Sequence, residues 1–252
     1  MKPFSYSDYE SQLMDSEYIR MLQRPRVQFF KGCNRVLDLA CGPGVFLELL
    51  KEAGIQAKGV DRNEEIVKKA RLKNLDVIQT DIFDYLEKSE ERYDGVFCSH
   101  ILEHISFDRV VQLIELIAKR LDPGGVVVFV LPNPGSIRLH LFGFWRDPEH
   151  VRFYTGNLIA SVCQHYGLGI EYSNEEEMPN LLEVPRIDPI SEFPSVSHRK
   201  GFWGRKENRA ETLILELNRR IEEFNQKMEK FSEATNKMWA RDDEVVLACR
   251  KY

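Results

Sequence analysis

Val36-Leu37-Asp38-Leu39-Ala40 runs straight into Cys41-Gly42-Pro43-Gly44, and an apolar-periodic stretch follows at once. This junction constrains the chain more than any other segment. The run is short and almost continuously apolar, which suits a strand buried on both faces. The glycines permit a tight, left-handed backbone between that strand and a helix near 45–53. The unit then recurs. Ala57–Val60 reads as a strand ending at Asp61, with a helix over 63–72. Asp76–Gln79 is a third strand, before Thr80-Asp81, and Tyr93–Ser99 a fourth. Asp108–Arg120 is an amphipathic helix with Val111, Ile114, Leu116 and Ile117 apolar, and Asp122-Pro123-Gly124-Gly125 is a turn before a fifth strand, Val126–Leu131. A helix near 155–166, a strand near 168–173 and a closing strand at Glu244–Arg250 complete the alternation. Strands alternating with helices predict an α/β fold with a mostly parallel sheet covered on both faces and right-handed crossovers.

Three segments follow from this reading. Residues 1–31 form an N-terminal helical arm or lid, with helical spacing in Tyr18, Met21, Leu22 and Phe29. Residues 32–173 and 243–252 form the α/β domain. Residues 174–242 are an insertion, longer than ordinary connections. Its first half holds Pro179, Pro185, Pro189, Pro194 and Gly201-Phe202-Trp203-Gly204, which predicts an irregular loop. Its second half, 206–240, lacks Pro and Gly and predicts one long helix. Apolar residues there step by three and four through Ile214, Leu217, Ile221, Phe224, Met228, Phe231 and Met238, interrupted by Thr235. Such a seam suits homodimerisation, a docked partner, or a groove on its own domain.

The formal net charge of −5, with both signs scattered, disfavours a protein that grips nucleic acid through its phosphates. Five cysteines, at 33, 41, 98, 163 and 249, include no C-x-x-C pair and lie largely in apolar runs. They are expected to be reduced, buried thiols. The N-terminus shows no signal-peptide core, and no apolar run is long enough to span a bilayer. A cytoplasmic protein is the expectation.

Around Gly42 and Gly44, backbone N–H groups and a helix N-terminus can approach a ligand closely. Asp61, ending the next strand, can accept hydrogen bonds from two ribose hydroxyls. Leu47 stands where a dinucleotide-binding G-x-G-x-x-G would place its third glycine. Asp38-Leu39-Ala40-Cys41-Gly42-Pro43-Gly44 resembles the first motif of class I S-adenosylmethionine-dependent methyltransferases of the type-11 or type-23 kind, and the likeness covers about 35–173 and the last strand. The resemblance implies a Rossmann-like, doubly wound, seven-stranded sheet in three αβα layers, mostly parallel with an antiparallel last strand. It implies S-adenosyl-L-methionine as cofactor and S-adenosyl-L-homocysteine as product. It assigns Asp38, Ala40, Gly42 and Gly44 to the cofactor loop, Asp61 to the ribose and Arg62 to the flank of the adenine. Asp81 and Ile82 fall at the adenine edge, and Ser99, His100 and Ile101 beneath the cofactor. The competing reading makes each acid a helix cap or turn residue.

His100-Ile101-Leu102-Glu103-His104 resembles a segment of ubiquinone-pathway O-methyltransferases and of small-RNA 3′-terminal 2′-O-methyltransferases. Those families hold a divalent metal with Glu-x-x-Glu-His, and the RNA enzymes add a later His, for which His150 is placed here. This chain has His100 at the first Glu, and no metal is assigned. His100, Glu103 and His104 are the catalytic candidates, His104 as general base. In the plainer reading, Glu103 and His104 cap and pack the following helix. The segment 143–154 follows strand five and resembles a stretch of methyltransferases acting on lipids, glycans and small acceptors. Arg146, His150, Arg152 and Tyr154 are candidate substrate contacts, with Tyr9 from the arm. The alternative is a loop pinned by Trp145 and Phe153. Tyr6 and Tyr18 are lid or anchor residues, and Trp203 a lid or a pin. The expected function is O-methylation of a small-molecule, glycan or lipid-linked acceptor. A metal-assisted RNA 2′-O-methyltransferase and a non-catalytic, cofactor-binding scaffold are the alternatives.

Overall fold

The computed structural model describes residues 16–175, 207–239 and 242–252. Two compact units result, one holding residues 16–175 and 242–252, the other residues 207–239. In the first, helix α1 (Ser16–Gln23) runs into a 3-10 segment, Arg24–Phe30. Then come β1 (Val36–Leu39), α2 (Val45–Glu52), β2 (Ala57–Asp61), α3 (Glu64–Leu72), β3 (Val77–Gln79), α4 (Ile82–Lys88) and β4 (Tyr93–Ser99). After them follow α5 (Phe107–Arg120), β5 (Leu121–Pro132), α6 (Gly156–His165) and β6 (Leu168–Ser173), and β7 (Glu244–Lys251) closes the sheet. The second unit is one helix, α7 (Glu207–Trp239).

The seven strands are ordered β3-β2-β1-β4-β5-β7-β6. Pairings from β3 to β5 are parallel, and β7 inserts antiparallel between β5 and β6. The strand order reverses between β1 and β4, so their carboxyl ends leave a crevice of the kind that binds ligands in open α/β sheets. Both sheet faces are apolar because both are covered. Leu37, Leu39, Val96, Val127 and Phe129 pack with α5 and α6 residues such as Leu113, Ile117 and Ile159. Val36, Phe97, Val128 and Val246 pack with Phe30, Phe46 and Leu50 on the other side. Phe46 stacks on Phe97 at 3.8 Å between centroids, and Phe30 meets both edge-on.

Helix α4 was not expected from the sequence. Its seven residues are too few to show a period, yet Asp81 caps it, accepting from Phe83 N and Asp84 N. Strand β5 begins five residues before the expected Val126. Leu121 pairs with Tyr93, the register shifts, and Asp122–Gly125 bulges out with Gly124 at φ +76°. The helical spacing of Tyr18 and Met21 does not mark a buried face: they are 54% and 61% exposed, which corrects the anchor reading of Tyr18. Tyr6, Tyr9 and Trp203 lie outside the described residues, as does nearly all of the proline-rich loop. Four of the five cysteines are buried and all are unpaired.

Gly59, in the middle of β2, shows why the first crossover is so tight. A Cβ there would stand 2.5 Å from Cys41 Sγ and 2.7 Å from Leu47 Cδ1, both buried. Leu47, in the place of a third glycine, thus packs where β2 offers no side chain. Gly59→Ala is expected to destabilise the domain by about 1–3 kcal/mol in urea unfolding, because the core must shift to admit the methyl. An unchanged midpoint would contradict this packing.

Candidate functional site

The crevice is built from the ends of β1, β2, β3 and β4. The loop after β1 takes three left-handed residues in five positions: Ala40 (φ +50°), Gly42 (φ +54°) and Gly44 (φ +79°). At Gly44 a side chain is excluded, since its Cβ would lie 2.4 Å from Leu75 Cδ1. At Gly42 a Cβ would meet nothing within 4 Å, so that glycine borders open space. Gly44 is also the N-cap of α2 and supplies no side-chain cap, so the first N–H groups of the helix remain for a ligand.

Asp61 ties the loop down. Its Oδ2 accepts from Gly42 N at 3.0 Å and its Oδ1 from Asn63 N at 2.8 Å. The side chain is buried, yet each carboxylate oxygen keeps a lone pair for a further donor. Asp38 lies in the adjacent strand, and burial together with the Asp61 charge pushes its carboxyl well above the usual range. Its protonated, hydrogen-bond-donating form is thereby favoured relative to an exposed carboxyl. Thr80 N bonds to Asp61 O at 3.0 Å, which sets Asp81 beside the end of β2. Asp81 is exposed and spends only Oδ1 on its cap, so the cap and ligand readings are compatible. Ile82, the first residue of α4, is buried. Arg62 is exposed and pairs with Glu149 at 3.3 Å, linking the end of β2 to the 143–154 loop.

At the end of β4, Ser99 is half-buried and His100 adopts φ +54°. His100 N donates to Val130 O at 2.9 Å, which fixes the ring's position. Nδ1 meets Glu103 Oε1 at 3.0 Å and Nε2 meets Glu244 Oε1 at 2.9 Å. Arg26 reaches Glu244 Oε2 at 3.2 Å. Burial opposes a charge on His100, but the two carboxylates outweigh it and raise its pKa to about 10. Burial likewise opposes the charge on Glu244, yet His100 and Arg26 hold its carboxyl below the usual range. A cavity of about 60 Å³ adjoins Ser99 and His100, walled by Leu22, Gln23, Arg26 and Glu244. Gln23 Oε1 and Arg26 Nε are buried without a partner among the described residues. The sequence reading missed Arg26, Gln23 and Glu244. No local signal marks them, since Arg26 and Glu244 are 218 positions apart.

Glu103 is 1% exposed, and its Oε2 has no hydrogen-bond partner among the described residues. The expected capping role is not seen: Leu102–His104 is a 3-10 turn, and Glu103 turns inward to His100. The Glu103 carbonyl accepts from Val151 N at 2.7 Å, which draws the 143–154 loop onto the turn. The His150 ring then lies 4.6 Å from that of His104. Ligand atoms of Glu103, His104 and His150 all fall within 4.8 Å of one another. His150 Nδ1 contacts Phe144 O at 2.6 Å. A carbonyl only accepts, so Nδ1 is the donor in this contact. Burial lowers the pKa of His104, with the Glu103 charge opposing it and His150 adding to it.

Phe144 pins the loop, where Trp145 was expected to. Phe144 is 1% exposed and stacks on Phe153 at 3.7 Å, whereas Trp145 is 64% exposed. Tyr154, a substrate candidate by sequence, is 2% exposed and donates to Ile105 O at 2.8 Å. It anchors the loop base instead. Arg152 is exposed over the Tyr154 ring at 5.0 Å, and Arg146 is also exposed. No helix among the described residues is long and apolar enough to cross a membrane.

A glycine-rich strand-to-helix loop tied to an acid on the next strand defines a protein that binds a nucleoside-type cofactor. A family model described as "Methyltransferase domain" matches residues 8–173. The chain belongs to that family and carries its methyltransferase domain. A SAM-dependent methyltransferase from Archaeoglobus fulgidus superposes with a TM-score of 0.67 at 27% identity, covering 98% of this chain and 100% of that one. Magnesium protoporphyrin IX methyltransferase from Synechocystis PCC 6803, solved with bound SAH, shares the fold at TM-score 0.54 and 12% identity, covering 94% of this chain and 82% of that one. The ubiquinone biosynthesis O-methyltransferase of Vibrio cholerae is 33% identical over 114 residues, 43% of this chain and 45% of that protein. The chain thus matches less than half the length of that curated relative.

Proposed function

We propose that this enzyme methylates a hydroxyl oxygen of a small-molecule, glycan or lipid-linked acceptor. The observation that carries the reading is the cluster of His104, Glu103 and His150 at the same sheet edge as the cofactor loop, with ligand atoms within 4.8 Å of one another; burial there favours the uncharged form of His104. The name of the Vibrio cholerae relative, an O-methyltransferase, supports the choice of oxygen. The cofactor lies along Gly42, Gly44, Asp61 and Asp81, with its sulfonium toward Ser99 and His100. The acceptor enters beneath the loop 143–154, where His150, Arg146 and Arg152 contact it. The acceptor O–H proton passes to His104 as the oxygen bonds the methyl carbon and the carbon–sulfur bond breaks. S-adenosylhomocysteine and protonated His104 are left. Alignment of the nucleophile with the methyl–sulfur bond supplies much of the acceleration, up to ~7–11 kcal/mol when it is good.

One observation favours a metal-assisted variant of the same step. A carboxylate and two imidazoles form a donor set that divalent transition ions accept, and the buried Glu103 Oε2 lacks a partner among the described residues. These residues fit such an ion, which would acidify the acceptor hydroxyl when bound. Glu103, His104 and His150 would hold it.

The test is transfer of labelled methyl from the cofactor to phenolic, glycan, lipid and RNA 3′-terminal acceptors, with and without chelator. Label in an ether on a non-nucleic acceptor is the expected result. Loss of transfer on chelation, restored by a divalent ion, selects the metal-assisted form. Label confined to nitrogen or to RNA overturns the reading, and cofactor binding without transfer to any fraction would mark a scaffold.

A further inference from the structure

Helix α7 carries an apolar seam that the methyl-transfer site does not use. Ile214, Leu217, Ile221, Phe224, Met228 and Phe231 follow in steps of three and four, and each is 36–56% exposed. They span about 26 Å along the axis at 1.5 Å per residue. Written as heptads, Ile214, Ile221, Met228 and Thr235 fall at a, and Leu217, Phe224, Phe231 and Met238 at d. The Thr235 hydroxyl donates to Phe231 O at 2.8 Å, so it is satisfied within its own helix. From Ile214 onward the acids Glu216, Glu222, Glu223, Glu229 and Glu233 all fall at b, c or f, away from the seam, while Glu211 precedes it at e. Arg219, at f, pairs with Glu216 inside the same helix, as a solvated outer face does, and Arg220, at g, also reaches Glu216 at 3.0 Å.

The flanks of the seam say what covers it. The g positions carry Leu213, Arg220, Lys227 and Ala234, and the e positions facing the first three of them carry Asn218, Asn225 and Ser232. In a parallel, in-register pair, each g residue faces the e residue five positions on in the other helix. Arg220 then faces Asn225 and Lys227 faces Ser232, cationic donors opposite neutral acceptors with no like charges opposed. An antiparallel pair would set the basic g flank against itself, and like charges across a seam are destabilising. β-branched Ile at a with Leu at d, as in Ile214 and Leu217, favours two strands over three or four.

We propose that α7 pairs with α7 of a second copy of this chain as a parallel, in-register, two-stranded coiled coil. The pairing is independent of which acceptor the enzyme methylates. Sedimentation equilibrium of the full chain at micromolar concentration is expected to give twice the chain mass. Ile221→Asp with Phe224→Asp is expected to weaken association at least a hundredfold while cofactor binding stays unchanged, which shows that the α/β unit is intact. Register is tested with Thr235→Cys in a Cys33→Ser background: at an a position of a parallel pair the two thiols meet and oxidise to a disulfide-linked dimer. A monomeric full chain overturns the proposal. So does a dimer indifferent to the double substitution, or one in which Cys at 235 fails to link. A chain that is monomeric alone and pairs only with a foreign helix of acidic flanks overturns it as well.

Discussion

Asp61→Asn is expected to weaken binding of S-adenosylhomocysteine by about 10²–10⁴-fold in calorimetric titration, with the fold retained. The carboxylate has two duties. Oδ1 and Oδ2 each accept a backbone N–H, from Asn63 and Gly42, and these bonds hold the loop in its left-handed path. An amide has one acceptor oxygen, so one N–H would face an NH₂ group instead. In the proposed cofactor pose the remaining lone pairs face the ribose hydroxyls, and loss of charge would weaken those bonds. Hydrogen bonds to a charged group contribute about 1.5–3 kcal/mol each. Losing two amounts to ~3–6 kcal/mol, and each 1.4 kcal/mol is tenfold. An affinity within threefold of the parent would show that Asp61 only shapes the loop.

The second large effect is catalytic. His104→Ala is expected to lower kcat for methyl transfer by about 10²–10⁴-fold, the usual range for a positioned acid or base. S-adenosylhomocysteine affinity should stay within about threefold, because the proposed cofactor path along Gly42, Gly44, Asp61 and Asp81 does not include His104. His150→Ala should act in the same direction, since its ring stands 4.6 Å from that of His104. Raised KM with unchanged kcat in both variants would reduce these histidines to acceptor contacts. A parent rate in both would remove the cluster from the mechanism.

The sheet and its cofactor loop were legible in the sequence because their signals are local. The apolar runs of β1, β4 and β5 mark strands buried on both faces, and Gly42 and Gly44 mark a left-handed backbone that other residues rarely adopt. The loop 143–154 was legible only in part. Its position after β5 placed it over the crevice, but Phe144 and Trp145 are adjacent aromatics, and composition does not say which turns inward. Packing against Phe153 decides that Phe144 does. Tyr154 was misread for the same reason, since a Tyr that donates to Ile105 O and one that faces a substrate look alike in sequence.

Strand order along the chain, the glycine bend and its acid partner depend on side-chain period and backbone sterics within a few tens of residues, so the linear chain determines them. The four-member relay of Arg26, Glu244, His100 and Glu103 has no such origin. His100 and Glu244 stand 144 positions apart and meet because β7 inserts next to β5 and starts where the parallel strands end. His150 joins His104 only because a backbone bond from Val151 to Glu103 folds the loop back. Contacts of this kind are set by sheet order and loop packing, which no local pattern encodes, and they gather the proposed chemistry on a scaffold that short-range pattern had already laid out.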